Sequence, residues 1–174
     1  MRYEAYTDGS SRGNPGPAGW GCIVMSDTKV REYNGASERA TNNQMEIYGV
    51  LYAMNFAVAN LNQDTEGDEM EIFSDSEYTV KGCSTWVHGW VKNNWKNSQK
   101  KEVLNRDLWE NIWKAMNDLK YKNIKFKVTH VRGHNGHIHN ERADVICTSA
   151  ALKTDAKLFS GTRISYDKFL ENKE

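Results

Sequence analysis

A chain of 174 residues is long enough for one domain with a substantial core and too short for two ordinary ones. Hydrophobic residues at 39% and charged residues at 26% exclude the disordered and fibrous classes. A formal net charge of zero excludes a global basic field that would draw the chain to nucleic acid or an acidic membrane, so any such binding must come from local patches.

From Tyr3 to Thr7 alternate residues are apolar or β-branched, and this strand pattern ends at Asp8, before a serine, glycine and proline turn. Trp20–Met25 and Lys29–Asn34 resume strand composition around Ser26 and Asp27, which predicts an opening meander of three antiparallel strands. Asn42 to Ala59 changes to helical period, with Met45, Val50, Met54, Ala57 and Val58 on one face. Glu46 stands at the N-terminal end of that face, where the helix dipole favours an anion. Met70–Ser74 is a further strand, followed by Asp75 and by Ser76, which can cap a short helix. A tryptophan-rich, Lys/Asn-rich stretch runs from Thr85 to Lys101, then an amphipathic helix covers about Asp107 to Leu119. Lys125–Val131 reads as a strand, and a glycine and histidine loop leads to a helix over about Asn140 to Leu152, with Asp144, Cys147 and Ala151 on one face. The remainder reads as a tail with one short helix at its end. A meander followed by strands alternating with helices implies an α/β domain, a mixed sheet with helices packed against it.

Cys22, Cys83 and Cys147 are far apart, with no pair at metal-ligand spacing, and read as reduced thiols. The N-terminus MRYEAYTDGS shows no charged region followed by an apolar run, and no stretch approaches the roughly 20 apolar residues that span a bilayer. A cytoplasmic monomer without membrane contact is expected.

Asp8, Glu46, Asp75 and Asp144 each have a local reason to face inward. Each also has a plain structural reading: Asp8 in a turn, Asp75 and Ser76 in a cap, Glu46 in a capping box with Asn43, and Asp144 in a surface ion pair. Four buried carboxylates without partners are costly, and a shared divalent cation reverses that penalty. Oxygen-only donors favour Mg²⁺ or Mn²⁺ over zinc. His134 lies in a glycine-flanked loop before the helix of Asp144, and an unperturbed imidazole suits proton transfer at neutral pH. His137 and His139 read as bystanders.

The segments TDGSSRGNPGPAGWG (7–21), ATNNQME (40–46), SDSEYTVKG (74–82) and VRGHNGHIHNERAD (131–144) resemble those of type 1 ribonuclease H, in that family's order and at compatible spacing. The resemblance spans Met1 to about Lys153, and implies a catalytic domain over 1–153 with a C-terminal tail over 154–174. It implies a ribonuclease H-like fold, a five-stranded mixed sheet with three antiparallel and then parallel strands, flanked by α-helices. It implies an endonuclease that cuts the RNA strand of an RNA–DNA hybrid, leaving 5′-phosphate and 3′-hydroxyl ends. Asp8, Glu46, Asp75 and Asp144 would then hold two Mg²⁺ ions, with Mn²⁺ able to substitute, and His134 would assist water orientation, proton transfer or product release.

By the same resemblance Ser11, Asn14, Asn42 and Asn43 would read 2′-hydroxyls in the wide minor groove of the hybrid. Arg39, Thr41 and Asn105 would grip a DNA-strand phosphate, and Trp86 would lie along the DNA strand. Two departures stand out. The protrusion from Trp86 to Lys101 carries Val91-Lys92-Asn93-Asn94 where some members have consecutive basic residues, and Glu77 occupies a position where a neutral glutamine commonly contacts the RNA. Competing expectations are a hybrid-binding module that no longer cleaves, a DNA recombinase of the same fold, and a nuclease domain detached from a reverse transcriptase.

Overall fold

Alternation along the first strands decides which side chains meet which helical layer. The computed structural model describes residues 1–61, 67–133 and 136–173. Strands β1 (Arg2–Ser11), β2 (Gly16–Met25) and β3 (Lys29–Ala40) form the antiparallel meander. Ala5, Cys22 and Val24 point to one face of it, while Tyr6, Ile23 and Met25 point to the other, as the period of two requires.

The first face is covered by α1 (Asn42–Asn60) and α4 (Arg106–Tyr121), which bury Ile47, Met54, Trp109 and Ile112. Between them come β4 (Glu69–Ser74), the short α2 (Glu77–Lys81), one π-helical turn (Gly82–Trp86) and α3 (Val87–Lys92). Trp90 and Trp95 pack against this core, and Trp90 meets Trp109 edge-on with ring centres 5.4 Å apart. The second face is covered by α5 (Ile138–Ala151), which follows β5 (Lys125–His130), and by the C-terminal segment, which forms β6 (Ser160–Thr162) and α6 (Arg163–Glu171).

Among the described residues the sheet has six strands, in the order β5-β4-β1-β2-β3-β6, rather than the five that the family resemblance implies. The sixth is built by main-chain pairing of Lys29 with Thr162 and Arg31 with Ser160. Three residues are too few to display an alternating pattern, so its strand character comes from the exposed edge of β3 and not from its own side chains. The two parallel pairings, β1 with β4 and β4 with β5, meet the expectation of a mixed sheet.

Strand β1 also runs three residues past Asp8, pairing Asp8 with Gly21 and Ser11 with Ala18. Of the segment that reads as a turn, residues 9–11 and 16–17 join the strands, and residues 12–15 make the turn. Helix α1 starts where its period predicts, but its capping box is formed by Thr41 and Gln44 rather than by Asn43 and Glu46. Glu46 is thereby left out of capping and is available to the site.

Candidate active site

The acidic side chains converge on Asp8. It sits mid-strand on β1 and is 5% exposed. Carboxylate oxygens of Asp8, Glu46 and Asp75 lie within 4.8 Å of one another. A second group at the same spacing joins Asp8 to Asp144 and to the sulfur of Cys147. Asp8 therefore belongs to both clusters, with Glu46 and Asp75 on one side and Asp144 on the other. Four elements supply the four acids: β1, the second turn of α1, the residue after β4, and α5.

Close backbone approach makes this convergence possible. A Cβ on Gly9 would lie 2.3 Å from Glu46 N and 2.3 Å from Met45 C, so only glycine lets the first turns of α1 rest on β1. Glu46 is carried by that contact to the side of Asp8. Asp75 is held from the other direction: Val131 N donates to Ser74 O at 3.0 Å, and His130 Nε2 lies 3.2 Å from Asp75 O.

Burial pushes the Asp8 carboxyl up from 3.8 to about 7, with the negative charge of Asp75 as the next cause. The main-chain N–H of Gly9, donating to Asp8 Oδ1 at 2.8 Å, opposes the rise only in part. Glu46 is likewise raised, by burial first and by Asp8 and Asp75 next, and its Oε2 is buried without a hydrogen-bond partner. Carboxyls raised in this way mark a site short of positive charge, which a divalent cation would supply. The orphaned Glu46 oxygen and the oxygen-only Asp8, Glu46 and Asp75 set fit a hard cation.

His134 lies outside the described residues. His139, on the first turn of α5, has its pKa lowered to about 4, by burial first, and its Nδ1 finds no partner. It packs between the rings of Tyr6 and Tyr166.

The residues assigned to the substrate fall into two hydrogen-bonded groups. Ser11 N donates to Asn42 Oδ1 at 2.7 Å, Ser11 Oγ donates to Ala40 O at 2.7 Å and also to Gly13 O, and Asn42 N donates to Asn14 Oδ1 at 3.0 Å. Asn43 is exposed beside them at the start of α1. In the second group Thr41 caps α1 through Gln44, and Gln44 Nε2 donates to Asn105 Oδ1 at 3.3 Å. Arg39, at the end of β3, lines the same groove as Gln44. Asn105 Nδ2 and Trp109 Nε1 both reach Tyr78 Oη, at 3.4 and 3.2 Å, and the Tyr78 ring lies 5.9 Å from that of Trp86. Glu77 is exposed, with Lys81 one turn on at 3.9 Å.

Sequence reasoning missed Gln44 and Tyr78, and it placed Cys147 on the helix face of Asp144 without assigning it to the site. The first carried a visible signal, as the third residue after Thr41 in a capping box. Cys147, three residues after Asp144 on a helix, shares its face for the same geometric reason. Nothing local distinguishes Tyr78.

A sequence profile of the ribonuclease H family (RNase H) matches residues 1–152. The chain is 41% identical over 152 residues to the ribonuclease H of Erythrobacter litoralis, an alignment covering 86% of this chain and 96% of that protein. Its fold is similar to the crystal structure of LC9-RNase H1, described as a type 1 RNase H with the type 2 active-site motif, at a TM-score of 0.72 and 25% identity over 92% of this chain and 77% of that one. It is also similar in fold to LC11-RNase H1, solved in complex with RNA/DNA hybrid, at a TM-score of 0.60 and 22% identity over 87% of this chain and 97% of that one.

Proposed function

The chain belongs to the ribonuclease H family, whose members are metal-dependent endonucleases, and on that premise we propose that it hydrolyses the RNA strand of RNA–DNA hybrids with divalent cations held by Asp8, Glu46, Asp75 and Asp144. The observation that carries this reading is the sharing of Asp8 between two ligand groups, one with Glu46 and Asp75 and one with Asp144. The four carboxylates would hold two Mg²⁺ ions, or Mn²⁺ in their place, and these would supply charge stabilisation for an in-line phosphodiester displacement that leaves 5′-phosphate and 3′-hydroxyl ends.

The chain's own residues do the rest. Asp8 and Glu46, whose carboxyl pKa values burial raises, would hold the cations, and buried Asp8 fixes the centre of the site from a strand. By the family resemblance His134, which precedes α5 in the sequence, would assist water orientation, proton transfer or product release.

Ser11, Asn14, Asn42 and Asn43 would accept or donate to 2′-hydroxyls, which distinguish an RNA strand from DNA. Arg39, Thr41 and Asn105 would hold a phosphate of the other strand, with Trp86 alongside and Glu77 on the RNA side. The same fold in LC11-RNase H1 accommodates an RNA/DNA hybrid. The reading places catalysis in residues 1–153 of a cytoplasmic monomer. Among the described residues no helix is long and apolar enough to cross a membrane.

Incubation of labelled hybrid, duplex DNA and duplex RNA with and without Mg²⁺ tests the proposal. Cleavage confined to the RNA of the hybrid, dependent on Mg²⁺ and abolished in Asp8→Asn, is the expected result. Cleavage of duplex DNA, or comparable turnover by Asp8→Asn, would overturn it.

A further inference from the structure

The family match ends at residue 152, yet a charged pair inside it is buried by residues beyond that point. Arg142, on α5, donates through Nε and Nη2 to the two carboxylate oxygens of Glu32, on β3, both at 2.8 Å. The two side chains are 5% and 0% exposed. Among the described residues, the other hydrogen bonds of the two side chains come from the C-terminal segment. Arg142 Nη2 also donates to Ala156 O at 3.1 Å and to Lys157 O at 3.3 Å, and the guanidinium lies 5.1 Å from the centre of the Phe169 ring. Glu32 further accepts from Tyr166 Oη at 2.8 Å and from Phe159 N at 2.9 Å, while its own N–H donates to Phe159 O. A buried bidentate pair is tolerated only when its remaining hydrogen-bonding capacity is met, and here residues 156–169 meet it.

Arg142 stands two residues before Asp144 on the same helix. Beneath that helix the glycines of β2 allow close approach: a Cβ on Gly19 would lie 2.5 Å from Cys147 O, and one on Gly21 2.9 Å from Ile146 Cγ2. That approach fixes the height of α5 above β2, and Ala143 and Ile146 share a core cluster with Ile23 and Met25. The outer flank of α5 is held by the C-terminal segment, through the Glu32–Arg142 pair that it encloses and through Tyr166 stacked on His139 at the first turn, 6.0 Å between ring centres. We infer that residues 154–174 form a clasp that positions α5, and through it Asp144 relative to Asp8, so that Glu32, Arg142 and Tyr166 are positioning residues for cation binding. The inference rests on the proposed role of Asp144 as a ligand.

Tyr166→Phe removes one hydrogen bond from the clasp and leaves its volume unchanged; a chain ending at Lys153 removes the clasp altogether. Mn²⁺ affinity measured by titration calorimetry, without substrate, is the primary readout, with kcat and KM on hybrid beside it. Partners of ligands typically alter metal affinity by roughly tenfold or more. Tyr166→Phe is expected to weaken Mn²⁺ binding severalfold and to lower kcat at low Mn²⁺ with KM for hybrid unchanged, and the shortened chain, where it folds, to weaken binding further. Ile112→Val, a core change under α4 on the opposite face, serves as a control that loses stability without losing Mn²⁺ affinity. Wild-type Mn²⁺ affinity in Tyr166→Phe, or equal loss in Ile112→Val, would reduce the clasp to ordinary packing and overturn the inference. A wild-type protein that binds no Mn²⁺ would overturn the proposed function as well, which separates the two failures.

Discussion

Replacing Asp8 by asparagine should stabilise the metal-free protein above neutral pH while abolishing its activity. In the folded state the Asp8 carboxyl titrates near 7, against 3.8 for the ordinary group, because it is buried beside Asp75. The folded state thus holds a proton that the unfolded state has already released across this window. Relative stability is full below about 3.8 and is lost as pH rises through about 7. The gap between those two values corresponds to roughly 4 kcal/mol at 1.36 kcal/mol per pH unit, an upper figure because Asp8 and Glu46 share the strain.

Asparagine keeps the shape and carries no charge at any pH, so it removes the penalty at about pH 8 and changes little at about pH 4. In a domain of this size a gain of roughly 4 kcal/mol moves Tm by about 10 °C. Urea denaturation in the presence of a chelator, followed by tryptophan fluorescence at both pH values, measures the effect. Addition of Mg²⁺ should raise the stability of the wild type at the higher pH by mass action and leave Asp8→Asn nearly unmoved. A chelated wild type equally stable at both pH values, or an Asp8→Asn protein less stable than wild type at about pH 8, would refute the account of a strained carboxyl cluster.

Gly9→Ala should cost most of the activity while the protein still folds, since the new methyl meets the backbone at Glu46 and drives the start of α1 off the strand; overpacking of this kind costs about 1–3 kcal/mol, and circular dichroism together with hybrid cleavage separates the two effects. Glu77→Gln should lower KM on hybrid by a few-fold at most, because the exposed Lys81 already screens part of the charge it removes; an unchanged or raised KM would count against a role for Glu77 beside the RNA. Hybrid binding should fall less steeply with salt than in relatives with a run of basic residues in the protrusion, each lost phosphate contact lowering the logarithmic slope by about one. Isotherms across a range of ionic strength would expose a steep slope and end that expectation.

The meander, α1 and the alternating β4, β5 and α5 were legible because each is longer than the period that announces it, and each buries one face. The convergence of Asp8, Glu46 and Asp75 was legible only jointly, since every one of them also fits a turn or a cap. What escaped the sequence depends on partners distant in the chain. Glu32 sits between Arg31 and Tyr33 in a strand, and nothing nearby announces that it will be buried under residues 156–169. Ser160–Thr162 becomes a strand only because β3 offers it unpaired backbone groups. Strand β1 outruns its own pattern for a similar reason, as the ladder to β2 carries it from Asp8 to Ser11. The family resemblance gave five strands because the sixth is drawn from the segment beyond the matched region.

Ser11 and Asn14 come from one stretch of chain and Asn42 from another, and both are already joined to Asn42. Their conformational freedom is surrendered when the protein folds and not when a duplex arrives, whereas ordering a loose polar side chain on association costs about 0.5–1.5 kcal/mol. A surface fixed in advance does not mould itself to whatever groove it meets. Hybrids whose groove width already matches its spacing would dock with little entropic loss, and duplexes of other widths would be rejected by shape before any bond is cut.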